Sequence, residues 1–298
     1  MNDRQQRPVT PLGAVRESPP GIPPSGRRPL SRRRFLQFGL ALAAAGPILT
    51  AEAVAAARHP RYALEAHTLP FGRSLRLVQL SDIHLGFAMP RTRLRRYMEQ
   101  IGAVHPDLLV LTGDLLNRSM DGLEDGVREL ARIQPPYGTF VSLGNHEHWF
   151  GQPAAVTRVC MQHGLQVLTN QRHVLATRDG PLVLAGIDDL GAGRVDLAAA
   201  VADRPAACPT ILLSHRPEIF PQAAQATVEL TLAGHWHGGQ IRLPIPGGYL
   251  SVAHLQTPYP EGLYRRAQSL LYVNRGLGTS ILPIRLNAPP EITVLTLV

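Results

Sequence analysis

Short apolar runs alternate with longer amphipathic segments along most of this 298-residue chain. Residues 92–104 and 121–133 repeat apolar positions at helical spacing. The apolar runs around them have the length of buried strands and lie at residues 75–80, 107–113, 138–144, 181–187, 210–215 and 228–234. This alternation of strands and helices predicts a mainly parallel sheet with covering helices, and therefore an α/β fold.

The last third of the chain has shorter apolar runs separated by Pro and Gly, among them GYLSVAH, SLLYVNRG and EITVLTLV. This pattern favours antiparallel strands over further strand–helix–strand units. The sequence has no internal repeat and no second linker, so we expect a single domain over residues 58–298.

The first 57 residues differ in composition from the rest. Residues 7–30 are rich in Pro, Gly, Ser and Arg, which is typical of disorder. SRRRFLQ, at residues 31–37, is followed by a short apolar run and by small-residue A-x-A sites, the plan of an export signal. The pair Arg32 and Arg33 resembles a twin-arginine signal, and an ordinary secretory signal or a retained anchor is the alternative.

We therefore expect residues 1–57 to be a disordered lead-in with a twin-arginine signal or anchor. The expected location is the periplasm or the outer face of the cytoplasmic membrane, which would make the twin-arginine export machinery a partner. Peripheral association with the membrane is a further expectation.

Positive charge is concentrated at the start of the chain. The chain has 30 basic and 22 acidic residues, and residues 1–58 contain 9 of the basic and 3 of the acidic ones. The rest of the chain therefore has 21 basic and 19 acidic residues, which nearly balance. The net charge of +8 therefore does not indicate nucleic-acid binding, and none is expected. Cys160 and Cys208 show no C-x-x-C spacing, so they are either two free thiols or one pair in an exported protein.

Polar side chains suited to metal binding follow five of the apolar runs. In parallel sheets the carboxyl ends of the strands meet at one edge, where ligands usually bind. The side chains at these ends are Asp82, His84, Asp114, Asn145, His215, His235 and His237. Turn formation explains an Asp or Asn, but it does not explain several imidazoles at the same edge.

The chemistry of this set favours a pair of ions. Imidazole, carboxylate and amide without thiolate suit Mn, Fe, Zn, Co or Ni better than a structural thiolate–zinc site. Seven ligands are too many for one ion with open positions, whereas two ions that share a carboxylate would use them all. Asp114 is the best candidate for the shared carboxylate.

The blocks D-x-H, G-D-x-x-N, G-N-H-E, a lone His and G-H-x-H run in this order from Asp82 to His237. They resemble the calcineurin-like metallophosphoesterase superfamily. The tail, with GHWHGGQIRLP, PYPEGLYRR and NRGLGTSILPIRLNAPPEI, resembles its bacterial twin-arginine-exported phosphodiesterase branch. The resemblance implies an α/β fold of four layers, in which two mixed β-sheets pack as a sandwich flanked by helices.

The resemblance also implies how the ligands are shared between two divalent or trivalent transition metal ions, with Mn, Fe and Zn expected. Asp114 would bridge the ions. The ligands of the first ion would be Asp82, His84 and His237. The ligands of the second ion would be Asn145, His215 and His235.

His146 is the catalytic residue that the resemblance implies, either by stabilising developing charge or by protonating the leaving oxygen. Many relatives have Asp where Glu147 stands and Thr where Trp236 stands, which leaves the orientation of His146 and the substrate shape open. Expected substrate contacts are Arg275, His254 and Trp236. Surface salt bridging is the alternative for Arg275, as it is for Arg216.

The predicted function is metal-dependent hydrolysis of phosphoesters, in particular phosphodiesters, by in-line attack of metal-bound hydroxide on phosphorus. One alternative is a phosphomonoesterase or pyrophosphohydrolase that acts on cell-envelope lipid or nucleotide-linked phosphates. A metallo-β-lactamase-type hydrolase would need an H-x-H-x-D-H block, which the sequence lacks. A non-catalytic phosphate-binding envelope protein would not be expected to keep the complete ligand set.

Overall fold

The structure, a computed structural model, describes residues 15–19, 62–205 and 208–298. Most of the predicted lead-in and the whole export signal therefore lie outside the described residues. No helix in the described part of the chain combines the length and apolar character that crossing a bilayer requires.

Residues 15–19 belong to the segment that was predicted to be disordered, yet they contain a short strand. The first strand, β1 (Arg16–Glu17), pairs in parallel with residues 264–265. The Ser18 hydroxyl also lies 2.6 Å from the hydroxyl of Tyr259. The prediction of disorder is wrong for these residues, because their backbone finds hydrogen-bond partners at a sheet edge.

One sheet has six strands in the described residues, and five of them lie between residues 63 and 167. Its strands are β2 (Ala63–Leu69), β3 (Leu75–Leu80), β4 (Leu108–Thr112), β5 (Thr139–Ser142), β6 (Leu165–Val167) and β15 (Glu291–Leu297). They lie in the order β2-β15-β3-β4-β5-β6. Strands β3 to β6 are parallel neighbours, whereas β15 is antiparallel to β3 and parallel to β2.

The other sheet has seven strands in the described residues, including β1. The remaining six are β7 (Gln171–Thr177), β8 (Gly180–Gly186), β9 (Thr210–Leu213), β10 (Leu230–Ala233), β13 (Gly262–Arg266) and β14 (Ser269–Val273). Their order is β1-β13-β14-β10-β9-β8-β7, with β8, β9, β10 and β14 parallel. A separate hairpin joins β11 (Leu243–Ile245) to β12 (Gly248–Leu250).

Helices cover the outer faces of both sheets. The α-helices are α1 (Arg91–Val104), α2 (Leu123–Leu130), α3 (Asn145–Trp149), α4 (Pro153–Gln162), α5 (Leu197–Val201), α6 (Phe220–Gln225) and α7 (Val252–Gln256). Short 3-10 helices occupy Pro217–Ile219 and His237–Gly239. Leu94 and Ile101 of α1 pack on the outer face of the first sheet, and Ala223 of α6 packs on that of the second.

The inner faces of the two sheets share one apolar core. Leu77 and Val110 of the first sheet pack with Leu184, Leu213 and Leu232 of the second. Burial of such side chains is the main favourable term that holds the sheets together. The four-layer arrangement of mixed sheets between helices confirms the expected fold class.

The sequence pattern missed β2 and β7 and misjudged part of the last third. ALEAHTL and QRHVLAT are edge strands in the described sheets and are only partly buried, so they lack continuous apolar runs. The antiparallel prediction holds for β14 beside β13 but is wrong for β14 beside β10, which is a parallel pair. The chain between β10 and β14 is long enough to place the two strands side by side in either direction. The local pattern of apolar residues therefore does not decide whether they are parallel or antiparallel.

Both cysteines are buried free thiols, so they do not pair with each other in this structure. Cys160 lies in the core under the first sheet, and Cys208 precedes β9. Burial raises the pKa of the Cys160 thiol to about 12, which makes this residue an unreactive core side chain.

Candidate metal centre

The predicted ligands lie in the loops that follow β3, β4, β5, β9 and β10. Five of them have a left-handed backbone, with φ between 50° and 74°: Asp82, His84, Asp114, His235 and His237. Non-glycine residues rarely adopt this conformation, and they do so mainly where the surrounding structure enforces it at functional sites. The loops therefore hold the ligand side chains in positions that relaxed turns would not provide.

Glycines beside the ligands allow the loops to approach one another. A Cβ atom added at Gly144 would overlap Oδ1 of Asp114, and one added at Gly234 would overlap Oδ2 of Asp82. The glycines of the G-N-H-E and G-H-x-H blocks are thus required by close packing against carboxylates.

One group of ligands combines the loop after β3 of the first sheet with the loop after β10 of the second. Oδ1 of Asp82 is 3.3 Å from Nε2 of His237, and the Nε2 atoms of His84 and His237 are 3.1 Å apart. All three side chains are buried, and their ligand atoms lie within 4.8 Å of one another. Asp82 Oδ1 has no hydrogen-bond partner, as expected of an atom that faces a cation site.

A neighbouring group contains Asp114, His215 and His235. Oδ2 of Asp114 lies 3.3 Å from Nε2 of His215, which in turn lies 3.1 Å from Nδ1 of His235. The same Oδ2 atom is 3.7 Å from Nε2 of His84 in the first group. Asp114 is therefore placed between the two groups, in the position that a bridging carboxylate would take.

His146 joins these ligands from the start of α3. Its Nε2 atom is 3.8 Å from Oδ2 of Asp114, and its backbone N–H donates to Oδ1 of Asp114 at 3.0 Å. Its Nδ1 atom contacts the backbone carbonyl of Asn117. When Nδ1 donates its proton to this carbonyl, Nε2 is directed at the site.

A backbone carbonyl also orients His215. Nδ1 of His215 lies 2.8 Å from the carbonyl oxygen of Thr112, so the ring donates there and presents Nε2 to Asp114. Metal-binding histidines commonly donate their second ring nitrogen in this way.

The electrostatics of the site suit a cation. Burial lowers the pKa of His84 to about 3, so this ring is a neutral donor. Burial would raise the pKa of the Asp82 and Asp114 carboxyls, but the neighbouring His237 and His215 outweigh it and lower both pKa values. Ionised carboxylates beside a neutral imidazole form a donor set that fits transition metals.

Glu147 connects the loops that carry Asp114 and Asn145. Its two carboxylate oxygens accept the backbone N–H groups of Asp114 and Leu116 at 3.0 Å and of Gly144 at 2.7 Å. Glu147 is fully buried, and burial followed by repulsion from Asp114 raises its pKa. Glu147 thus fixes the Asp114 loop against the start of α3. His146, whose backbone N–H donates to Asp114, is oriented by this arrangement.

Arg216 lies beside the group that contains Asp114, His215 and His235. Its ion pair is with a buried carboxylate and is not a surface salt bridge. Its Nε donates to Oδ2 of buried Asp189 at 3.0 Å. Its other nitrogens lie 2.7 Å from Nε2 of His235 and 3.2 Å from Oδ1 of Asn145. Arg216 therefore contacts two predicted ligands of one ion and is held by a carboxylate on its far side.

The expected substrate residues have different positions. Trp236 lines a cleft of about 430 Å³ that also contains Asp114, His146 and His237. Arg275 and His254 are not among the residues that line it.

Arg275 has no free donor face for a phosphate. Its guanidinium forms ion pairs with Glu65 at 2.5 Å, Glu291 at 2.9 Å and Glu261 at 3.5 Å. Three carboxylates compensate its charge, so the structure does not support the expected phosphate contact. Nδ1 of His254 lies 2.7 Å from the hydroxyl of Ser251, at the start of α7.

Comparison with known proteins assigns this site to a family. The family model of the calcineurin-like phosphoesterases, which describes the sequence pattern of the family, matches residues 75–239 of this chain. This range contains all seven predicted ligands and His146. This chain belongs to the calcineurin-like phosphoesterase family. It is thus a phosphoester hydrolase of a family that uses divalent metals.

Relatives of this phosphoesterase cover most of its length. It is 31% identical over 280 residues to the uncharacterized metallophosphoesterase YkuE of Bacillus subtilis, covering 90% of this chain and 98% of that protein. It is 29% identical over 282 residues to phosphodiesterase YaeI of Escherichia coli, covering 90% and 100%. It is also 33% identical over 275 residues to a Bos taurus protein named "Transmembrane protein with metallophosphoesterase domain". That match covers 87% of this chain and 59% of that protein.

Two residues near the site were not predicted from the sequence of this phosphoesterase. Asp189 orients Arg216, and the buried guanidinium of Arg285 lies 3.1 Å from Nδ1 of His237. Burial lowers the pKa of Arg285 to about 10. Asp189 lies two positions after the apolar run 181–187, which was a usable signal, whereas Arg285 lies in the tail segment NRGLGTSILPIRLNAPPEI, which carried no indication of a role for it.

Proposed function

We propose that this phosphoesterase hydrolyses phosphodiesters at a dinuclear metal centre. The observation that carries the proposal is the position of Asp114 Oδ2, 3.3 Å from His215 in one ligand group and 3.7 Å from His84 in the other. Asp82 and His237 would complete the first ion site. Asn145 and His235 would complete the second.

When bound, two such cations supply a nucleophilic water and stabilise negative charge on the phosphoryl oxygens. The residues of the chain provide the rest of the chemistry. Asp114 would hold both sites at a fixed separation, and Glu147 keeps its loop in place through the Asp114 N–H. His146, at the cleft, would stabilise charge on the phosphoryl group or give a proton to the departing ester oxygen.

The diester preference is tested with bis(p-nitrophenyl) phosphate against p-nitrophenyl phosphate. Purified protein is stripped with a chelator and reloaded with Mn, Fe or Zn, and the bound metal is counted. We expect about two ions per chain and a higher kcat/KM for the diester, with activity lost on stripping and regained on reloading. Undiminished hydrolysis by stripped protein would contradict the metal requirement. A single ion at full activity would contradict the dinuclear centre.

We further propose that the protein is exported by the twin-arginine route to the periplasm or the outer face of the cytoplasmic membrane. Support comes from Arg32 and Arg33 before an apolar run and A-x-A sites. The substrate would then be a phosphoester of the cell envelope.

A further inference from the structure

The cleft is lined by predicted metal ligands and by a set of apolar side chains, which we call the apolar wall. The apolar wall contains Trp149, Trp236, Ile241, Val252, Ile281 and Leu282. Exposed apolar side chains are common on proteins as single residues, but several that line one cleft beside predicted metal ligands indicate a binding surface. The reacting group and whatever contacts this wall must therefore share one cleft.

Ile281 is the most exposed member of this wall, with 74% of its surface accessible. Its backbone is left-handed, with φ of 64°, a conformation that is unfavourable for a β-branched residue. The side chain of Gln240 holds the loop, because it accepts from Ser280 N–H at 2.8 Å and donates to the carbonyls of Ser280 and Leu282. A strained, anchored and solvent-exposed Ile indicates a contact that the protein alone does not provide.

Trp236 is also held in a defined position. Its indole N–H donates to Glu218 at 2.8 Å, and Glu218 accepts from the hydroxyl of Thr257 at 2.7 Å. The polar end of Trp236 is thus satisfied within the protein, so its ring offers an apolar surface to the cleft. Trp149, with 57% of its surface exposed, lies on α3 beside His146.

The polar side chains of the cleft are few, which favours an apolar occupant over a nucleotide. Apart from the predicted ligands and His146, its described lining has only Gln240, Ser280 and the two indoles as polar side chains. Both ends of the Gln240 amide are used to hold the loop at 280–282. Selective recognition of a base edge needs free hydrogen-bonding side chains, whereas an alkyl chain needs only an apolar wall.

We propose that the cleft binds an amphiphilic phosphoester, with the phosphate at the metal ligands and a long alkyl or acyl group against the apolar wall. This inference rests on the proposed phosphoesterase function and specifies its substrate class. Each methylene that leaves water for this wall contributes to binding, up to about fourfold in affinity when it is fully buried.

The first test is a series of p-nitrophenyl alkyl phosphodiesters with methyl, butyl and octyl groups, each used below its aggregation concentration. We expect kcat/KM of the metal-loaded enzyme to rise about twofold or more per methylene. Ile281→Ser combined with Leu282→Ser should lower the octyl-to-methyl ratio at least tenfold. The matched control is Val174→Ser, an exposed apolar residue of edge strand β7, which should keep the wild-type ratio.

A second test measures binding without turnover. The chain has two tryptophans, and both line the cleft, so intrinsic fluorescence reports on its occupancy. Titration of metal-free and metal-loaded protein with methyl-, butyl- and octylphosphonate should give a Kd that falls with chain length in both forms. The double serine variant should lose this dependence while its folding, measured by circular dichroism, stays intact.

The outcomes separate this inference from the proposed function. Hydrolysis of the methyl diester with no chain-length effect in either test overturns the inference about the substrate class. The proposed phosphodiesterase function is then still supported. Absence of hydrolysis for every ester contradicts the proposed function, and the fluorescence series still decides whether the cleft binds alkyl groups. Binding to phospholipid vesicles through Ile281 and Leu282, without a chain-length effect on monomeric esters, would make the wall a membrane-docking surface and overturn the inference.

Discussion

The carboxylate of Glu147 accepts the backbone N–H of Asp114 at 3.0 Å, and this bond fixes the loop after β4 against the start of α3. Further bonds from the N–H groups of Leu116 and Gly144 leave Glu147 with three backbone donors in a fully buried position. Glu147 is therefore a structural link between two ligand loops.

Replacement of Glu147 by Gln should destabilise the protein by about 1–3 kcal/mol, because the amide turns a buried acceptor into a donor facing N–H groups. Denaturant unfolding monitored by circular dichroism measures the change. The control is Glu99→Gln, at an exposed position of α1, which should stay within about 0.5 kcal/mol of wild type. Equal stability of the two variants would show that the three bonds are not important.

Arg216→Lys should lower kcat/KM about tenfold to a hundredfold with little change in folding, since residues that orient metal ligands have effects of this size. Lysine keeps the charge but cannot contact Asp189, His235 and Asn145 together, as the planar guanidinium does. Steady-state kinetics and the number of bound metal ions measure the effect. Arg128→Lys, at an exposed ion pair of α2, is the matched control, and equal kinetics of the two variants would exclude an orienting role.

Asp114→Asn and His215→Ala should each reduce turnover by several orders of magnitude while the fold is retained, because an ion loses its place. Metal content should fall in both variants, and circular dichroism should remain that of the wild type. The bridging arrangement predicts that Asp114→Asn impairs both ions and His215→Ala mainly one. Wild-type turnover in either variant would contradict the assignment.

Metal binding should release a proton from His215. Burial disfavours its charge, but the Asp114 carboxylate outweighs burial and raises the pKa of His215 to about 10 in the metal-free protein. This pKa is above the ordinary 6.5. The charged ring therefore stabilises the metal-free fold fully below about pH 6.5, and this contribution is lost as the pH rises through about 10.

The proton on Nε2 must leave before a metal can bind, so the apparent metal affinity should increase with pH across neutrality. Calorimetry at pH 7 in buffers of different ionisation enthalpy should detect about one released proton or more per chain. Binding heats that do not depend on the buffer would show that His215 is already neutral.

Arg32→Lys combined with Arg33→Lys should leave the protein in the cytoplasm if export uses the twin-arginine route. Cell fractionation with an antibody against the folded protein measures its location. Unchanged export of this variant would indicate the general secretory route instead. Mutation of Arg27 and Arg28 to Lys, upstream of the motif, serves as the control and should not affect export.

The sequence by itself determined the strands β3, β4, β5, β9 and β10 and the kinds of ligand that follow them. Continuous apolar runs specify buried parallel strands, and the carboxyl ends of such strands share an edge. The grouping of Asp82 with His237, which are 155 residues apart, was implied by the family resemblance, because the strands before them, β3 and β10, lie in different sheets. Local pattern was sufficient for the strands and for the ligand types that follow them, but it did not show that β9 and β10 belong to a second sheet.

Only the tertiary structure decided what surrounds those ligands. Arg275 proved to be neutralised by three carboxylates, whereas Arg216 was directed at Asn145 and His235. The apolar wall formed by Trp149, Trp236 and Ile281 likewise combines distant segments. The partner of a charged or apolar side chain depends on distances between loops that sequence spacing does not encode, because packing of the two sheets sets those distances.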